Sequence, residues 1–230
     1  MEVFRRKETK YLLSKDQYDK LMKKLNSYLL KDKYYESTIC NIYFDNDNYD
    51  LIINSINKPE YKEKVRIRSY KVPNIDDDIF FELKKKYDGI VSKRRIKIKL
   101  SEFYNYINTG NISNCDIQIK NEIDYCFNKY KLKPKMFLAY DRLSYYAKDN
   151  KDFRITFDRN LRSREDDLNL ELGDCGNLFF KNDTCIMETK VLDAYPLWFT
   201  NILSSLKIYP ISFSKYGSIY SKKIKEAFNV

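Results

Sequence analysis

Histidine is absent from all 230 residues. That one absence removes Ser-His-Asp triads, Cys-His dyads, histidine metal sites and phosphohistidine chemistry together. Only 5 Gly and 5 Pro occur, which argues against disorder and against a repetitive linker. The 5 cysteines, Cys40, Cys115, Cys126, Cys175 and Cys185, contain no CxxC pair and are odd in number. They read as reduced core residues of a cytoplasmic protein, not as a disulfide framework. No apolar run approaches the roughly 20 residues that a membrane-spanning helix needs. The start, MEVFRRKETKY, has no signal-peptide character. The expectation is a cytoplasmic chain with no transmembrane segment.

What is plentiful is aromatic and basic. There are 21 Tyr and 14 Phe, and 43 Lys and Arg outweigh 33 Asp and Glu by ten charges. Such a balance favours an anionic partner: nucleic acid, membrane phosphate, or a nucleotide or polyphosphate substrate. The length is ample for a buried core. No composition break or linker divides it, so residues 1–230 are expected to form a single domain.

The stretch Tyr61 to Leu100 reads as three strands with alternating faces. The first puts Lys62, Lys64, Arg66, Arg68 and Tyr70 on one face. The second puts Glu82, Lys84 and Lys86 opposite Ile79, Phe81 and Leu83. The third puts Lys93, Arg95, Lys97 and Lys99 opposite Ile96, Ile98 and Leu100. The same two-faced pattern recurs in Phe4–Leu13, Ser37–Asp45, Met136–Tyr146, Phe153–Asp158 and Cys185–Leu192, about eight strands in all. Helices are expected after the capping box Ser14-x-x-Gln17, over Ser101–Asn108, through Ile119 to Tyr130, after Pro196 and after Ser214. Asn46–Lys58 reads as a loop or short helix, Asn111–Asn114 as a turn, and 162–182 as a surface excursion.

Helices with apolar stripes need something to pack on. If they cover the greasy strand faces from outside, the charged faces turn inward. The expected fold is therefore α+β: a closed antiparallel β-barrel, a tunnel with a charged interior and helices on its outside. The interior would hold Lys10, Lys62, Lys64, Arg66, Arg68, Lys84, Lys93, Arg95, Arg142, Arg154 and Lys190. Like charges so confined repel unless an anion fills the space. On this reading nucleic acid is not the expected partner, because the bases face inward.

One motif occurs three times on strands: Glu8-Thr9-Lys10, Glu82-Leu83-Lys84 and Glu188-Thr189-Lys190. The i, i+2 spacing puts each pair on one face. Lysine suits phosphate oxygens, and glutamate suits a hard divalent cation, Mn²⁺ or Mg²⁺. Charge neutralisation of this kind serves phosphoryl transfer with little need for a protein base. A single such pair on a strand is more often a solvated ion pair. The ordered set is what carries weight.

ETKY, YFD at Tyr43–Asp45, KVRIRSY, FELKKK, SKRR, YDR at Tyr140–Arg142, FRITFD and METK together resemble the VTC domain. This is the polyphosphate polymerase domain of the vacuolar transporter chaperone family, within the triphosphate tunnel metalloenzymes, or CYTH-like superfamily. The resemblance runs from about Arg6 to Tyr216. It implies a metal-dependent transfer of the γ-phosphate of ATP to a growing polyphosphate chain. Arg66, Arg68, Lys84, Lys93, Arg142, Arg154 and Lys190 are implied to act on the reacting phosphates. Lys10, Tyr140 and Lys215 of FSKY are implied to bind substrate. Facing alone adds Lys62 and Arg95. Glu188 is implied as principal metal ligand, with Glu8 and Glu82 assisting or orienting lysines. Thr189 stands where the family has an aliphatic residue. It should point away from the charged face with little effect. Relatives fused to SPX or transmembrane segments leave room for an unknown membrane or export partner. Alternatives of other classes are a tunnel-type tripolyphosphatase or nucleoside triphosphatase, and a non-catalytic module that binds polyphosphate or nucleotide.

Overall fold

The structure is a computed structural model describing residues 7–88, 90–112 and 115–227. Strand β1 (Lys7–Leu13) leads into helix α1 (Lys15–Leu25). Ser14 caps that helix reciprocally: its hydroxyl accepts the Gln17 N–H and its own N–H donates to Gln17 Oε1, both at 3.2 Å. Then come β2 (Leu29–Asp45), α2 (Asp50–Ile56), β3 (Tyr61–Ser69), β4 (Asp78–Tyr87) and β5 (Ile90–Lys99). Helices α3 (Leu100–Thr109) and α4 (Ile117–Tyr130) follow, then β6 (Lys133–Ala147), β7 (Arg154–Arg164), the short β8 (Asn177–Leu178), β9 (Cys185–Val191), α5 (Leu197–Ser205) and α6 (Lys215–Ala227). Residues 4–6 of the first expected strand, and 113–114 of the expected turn, lie outside the described residues.

The sheet corrects the expected closed barrel. Its strands bond in the order β1-β9-β7-β6-β2-β3-β4-β5, with β8 on β7. That path has two ends, and among the described residues no ladder joins β1 to β5. The physical reason is visible at β1. Its outer edge is taken by a different segment, with Lys10 bridged to Ile211 and the Ile211 N–H donating to the Lys10 carbonyl at 2.8 Å. The β5 edge carries alternating Lys and Arg, a pattern that discourages strand pairing. Among the described residues the nine-stranded sheet is therefore not closed into a barrel.

The chain forms two compact units. One comprises Met1–Ser37, Tyr140–Leu161 and Leu178–Phe213. The other comprises Thr38–Ala139, Arg162–Asn177 and Ser214–Val230. Each has its own core. In the first, Leu13, Phe157, Ile155 and Met187 of the sheet pack with Leu21 and Leu25 of α1 and Phe199 and Leu203 of α5. In the second, Ile42, Ile67, Phe81 and Ile96 pack with Phe103 and Tyr106 of α3 and Ile123 of α4. Each fully buried Leu, Ile or Phe contributes roughly 1.5–3 kcal/mol. Within each unit, then, the helices cover the greasy strand faces and the charged faces point the other way.

Candidate functional site

In the second unit the register sets the charges in rows. Lys64, Lys84 and Lys93 stand opposite one another on β3, β4 and β5, and so do Arg66, Glu82 and Arg95. Lys62 faces Lys86, and Asp78 faces Lys99. One face of three strands thus carries ten bases, four on β3, two on β4 and four on β5, against the two acids Asp78 and Glu82. Like charges directly opposite destabilise a sheet, so this face is built at a cost that an anion would relieve.

Glu82 is the hub. It is 1% exposed, and Arg66 donates to its Oε2 from Nε at 2.8 Å, with Nη2 at 2.7 Å from the same oxygen. Lys93 Nζ stands 2.5 Å from Oε1. Burial alone would raise this carboxyl, but Arg66, Arg68 and Lys93 overcome it and hold it down at about 2. With both oxygens facing cations, Glu82 orients Arg66 and Lys93. Lys93 is itself pulled down to about 8, because burial, Arg68 and Arg66 outweigh Glu82. Arg68 is buried, and its Nε donates to Asn41 Oδ1 at 2.9 Å, while Asn41 Nδ2 donates to the Leu138 carbonyl at 3.1 Å.

The other predicted residues of this unit are more open. Arg95 is exposed, and its guanidinium stacks over Phe80 at 4.6 Å. Lys84 is exposed and Lys62 half-buried. Burial lowers the Lys62 ammonium, with Lys86 and Lys58 adding to the effect. Lys215 opens α6 beside Ser214, whose hydroxyl accepts from Lys64 Nζ at 3.1 Å.

In the first unit the two outer E-x-K motifs are paired with each other. Glu8 faces Lys190, Thr9 faces Thr189 and Lys10 faces Glu188. Each carboxylate therefore meets both ammonium groups. Lys10 Nζ lies 3.4 Å from Glu8 and 3.9 Å from Glu188, and Lys190 Nζ lies 3.9 Å from Glu8 and 3.0 Å from Glu188. Glu188 is the more buried carboxylate, at 9% side-chain exposure against 34% for Glu8. Lys10 also donates to the Phe213 carbonyl at 3.2 Å. Arg154 is exposed on the same face, opposite Lys190. Arg142 grips the fully buried Asp158 through two bonds of 2.7 and 2.8 Å and lies 5.2 Å from the Tyr140 ring. Burial opposes its charge, yet Asp158 and Tyr140 raise Arg142 well above the ordinary arginine value.

Behind that face, Thr189 is fully buried, as its alternation requires, and it is not inert. Its hydroxyl lies 2.8 Å from the Tyr195 hydroxyl, which donates to Thr9 Oγ1 at 2.7 Å. The middle residues of the two motifs are thus clasped on the helix side.

Among the described residues no group of three or more His, Cys, Asp or Glu is placed to hold a metal ion. Glu8 and Glu188 are two carboxylates sharing one neighbourhood. That donor set fits Mg²⁺ or Mn²⁺, which take one or two carboxylates and complete their shell with phosphate oxygen.

Sequence reasoning assigned no role to Tyr43, Asn41 or Asp158. Period-2 facing marked all three as polar-face residues, but it does not reveal partners. Tyr43 accepts from Arg66 Nη1 at 2.9 Å. Asp45, on the same strand face, has another use: its carboxylate accepts the N–H groups of Asn46, Leu51 and Ile52 and so anchors α2.

Two solved structures share the fold. One is a candidate adenylate cyclase from Bacillus halodurans, 15% identical, with 90% of this chain and 92% of that chain covered and a TM-score of 0.55. The other is a candidate adenylyl cyclase from Hippeastrum described as having a dominant triphosphatase activity, 13% identical, with 94% and 95% covered and a TM-score of 0.53. Comparison with curated proteins gave no significant match. The family model described as VTC domain matches residues 5–222, and the chain belongs to that family.

Proposed function

We propose that this protein is an ATP-dependent polyphosphate polymerase. The observation that carries the reading is the β3–β5 face, where ten bases meet two acids and the central acid is spent on orienting Arg66 and Lys93. A net charge so concentrated suits a chain of phosphates rather than one carboxylate or one phosphate. Family membership supports the same substrate class.

In the reaction, the bond between the γ-phosphorus and the β–γ bridging oxygen of ATP breaks as a terminal oxygen of polyphosphate bonds to that phosphorus. ADP leaves, and the chain is one phosphate longer. The residues need only bind, align and neutralise. Arg66, fixed by Glu82 and Tyr43, presents a planar fork to phosphate oxygens. Arg68, Lys84 and Lys93 add charge around it, with Lys62, Arg95 and Lys215 as outlying contacts. In the other unit Lys10, Lys190, Arg142 and Arg154 are assigned to phosphate, with Tyr140 as a hydroxyl contact. Glu8 and Glu188 would hold a Mn²⁺ or Mg²⁺ ion, which supplies charge stabilisation at the phosphates when bound.

The alternative is triphosphate hydrolysis, the activity described for the Hippeastrum protein. It differs only in using water as acceptor. Stoichiometry separates the two. A polymerase incubated with ATP and Mn²⁺ yields ADP with far less than one orthophosphate per ADP, and a hydrolase yields one orthophosphate for each phosphoanhydride bond broken. No turnover with any divalent cation would leave only a binding role.

A further inference from the structure

We propose that Tyr43 is a further positioning residue of the β3–β5 face, and that its phenolate and a bound phosphate chain compete for the same three cations, Arg66, Arg68 and Lys64. The proposal rests on the reading of that face as a phosphate site.

The geometry is specific. Tyr43 stands directly opposite Arg66 in the β2–β3 ladder and accepts from Arg66 Nη1 at 2.9 Å. Glu82 holds the other side of the same guanidinium. Arg66 is therefore clamped between a carboxylate and a phenol, which fixes the plane of its fork. Tyr43 in turn is buried and stacks on Tyr216 of α6, with ring centroids 4.6 Å apart.

The phenol is surrounded by charge on several elements. Lys64, Arg66 and Arg68 face it from β3, and Glu82 and Lys93 stand beyond Arg66 on β4 and β5. On its own strand the neighbours on that face are Asn41 and Asp45, and α6 contributes Tyr216 and, further off, Tyr220. Burial alone pushes a phenol up, but Arg66, Arg68 and Lys64 more than reverse it and bring Tyr43 to about 8. Every other tyrosine with a displaced phenol among the described residues moves the opposite way, Tyr11 reaching about 12.

A phosphate chain on these cations cancels the field that stabilises the phenolate. Anion binding must then favour the protonated phenol, and phenolate must weaken anion binding by the same factor, because linkage is reciprocal. At neutral pH the protonated phenol orients Arg66 without competing for its charge.

The test uses the full chain and tripolyphosphate. Tyrosinate absorbance is followed against pH in wild type and in Tyr43→Phe, which keeps the stacked ring. Wild type should show one tyrosine ionising near pH 8 that the variant lacks. Saturating tripolyphosphate should move that step up by about one pH unit. Between pH 7 and pH 9.5 wild-type affinity should then fall by up to about tenfold more than that of Tyr43→Phe. Titration of Lys93, common to both proteins, cancels in the comparison. Tripolyphosphate that binds without moving the step overturns the proposal, as does a titration unchanged by Tyr43→Phe. Should the variant fail to fold, the wild-type titration with and without tripolyphosphate decides alone. Failure to bind tripolyphosphate at any pH overturns the phosphate-site reading, and the coupling with it.

Discussion

Arg66 and Glu82 stand directly opposite each other on β3 and β4, and the guanidinium places two nitrogens on one carboxylate oxygen, at 2.8 and 2.7 Å. Lys93 takes the other oxygen. A carboxylate shared by two cations keeps both in place at the centre of a strongly basic face.

Glu82 therefore couples stability to acid. Its folded pKa, about 2, lies below the ordinary 4.5, so its stabilisation is fully present above 4.5 and is lost as pH falls through about 2. The increment is about 3 kcal/mol at neutral pH. Denaturant titrations at stepped pH should show Glu82→Gln less stable at pH 7, with the gap to wild type closing between pH 4.5 and pH 2. A gap that stays constant with pH would contradict the assignment.

Removing the partner of a buried cation costs more than removing a surface one. Asp158→Asn takes both hydrogen bonds and the principal counter-charge from the largely buried Arg142 guanidinium and should cost about 3 kcal/mol. Asp78→Asn, which releases Lys97 and Lys99 into solvent, should leave the denaturant midpoint unchanged. Equal losses in the two variants would mean that burial does not govern these pairs.

The clasp behind the E-x-K pair makes a smaller prediction. Tyr195→Phe removes a donor to Thr9 Oγ1 and a partner of Thr189, and should cost about 1 kcal/mol in a denaturant titration. No change would show that the hydroxyls merely fill space.

Lys93 sets an alkaline limit. Its ammonium is pulled down to about 8, so its positive charge is lost as pH rises through that value. Tripolyphosphate affinity should fall accordingly, and Lys93→Arg, which keeps its charge, should reduce the fall. Calorimetric titration at pH 7 and pH 9 measures it. A fall as steep in Lys93→Arg as in wild type would exclude this lysine as the cause.

The sequence made some of this legible and hid the rest for physical reasons. Strict alternation from Tyr61 to Lys99 gave β3, β4 and β5 and the side each charge takes, because one face of each strand must meet helices. The capping box gave the start of α1 because two hydrogen bonds require Ser14 and Gln17 three residues apart. The long first half of β2, Leu29 to Ser37, carries no clean alternation, since both its faces are largely exposed. The end of β7, from Arg159 to Arg164, runs past the expected strand Phe153–Asp158 and into the expected excursion 162–182, because its mostly polar side chains give no period. Closure of the sheet depends on which segment occupies the β1 edge. Ile211 does so through backbone hydrogen bonding, and side-chain pattern carries no trace of that. Arg66 and Glu82 were visible as polar-face residues, but their union needed the register.

The most direct measurement follows labelled γ-phosphate. Wild-type protein is incubated with γ-labelled ATP and Mn²⁺, and the products are separated by size, with Glu188→Ala as control. Label in an acid-labile ladder of lengthening chains, absent from the control, is the predicted result. Label recovered only as orthophosphate would contradict the polymerase reading.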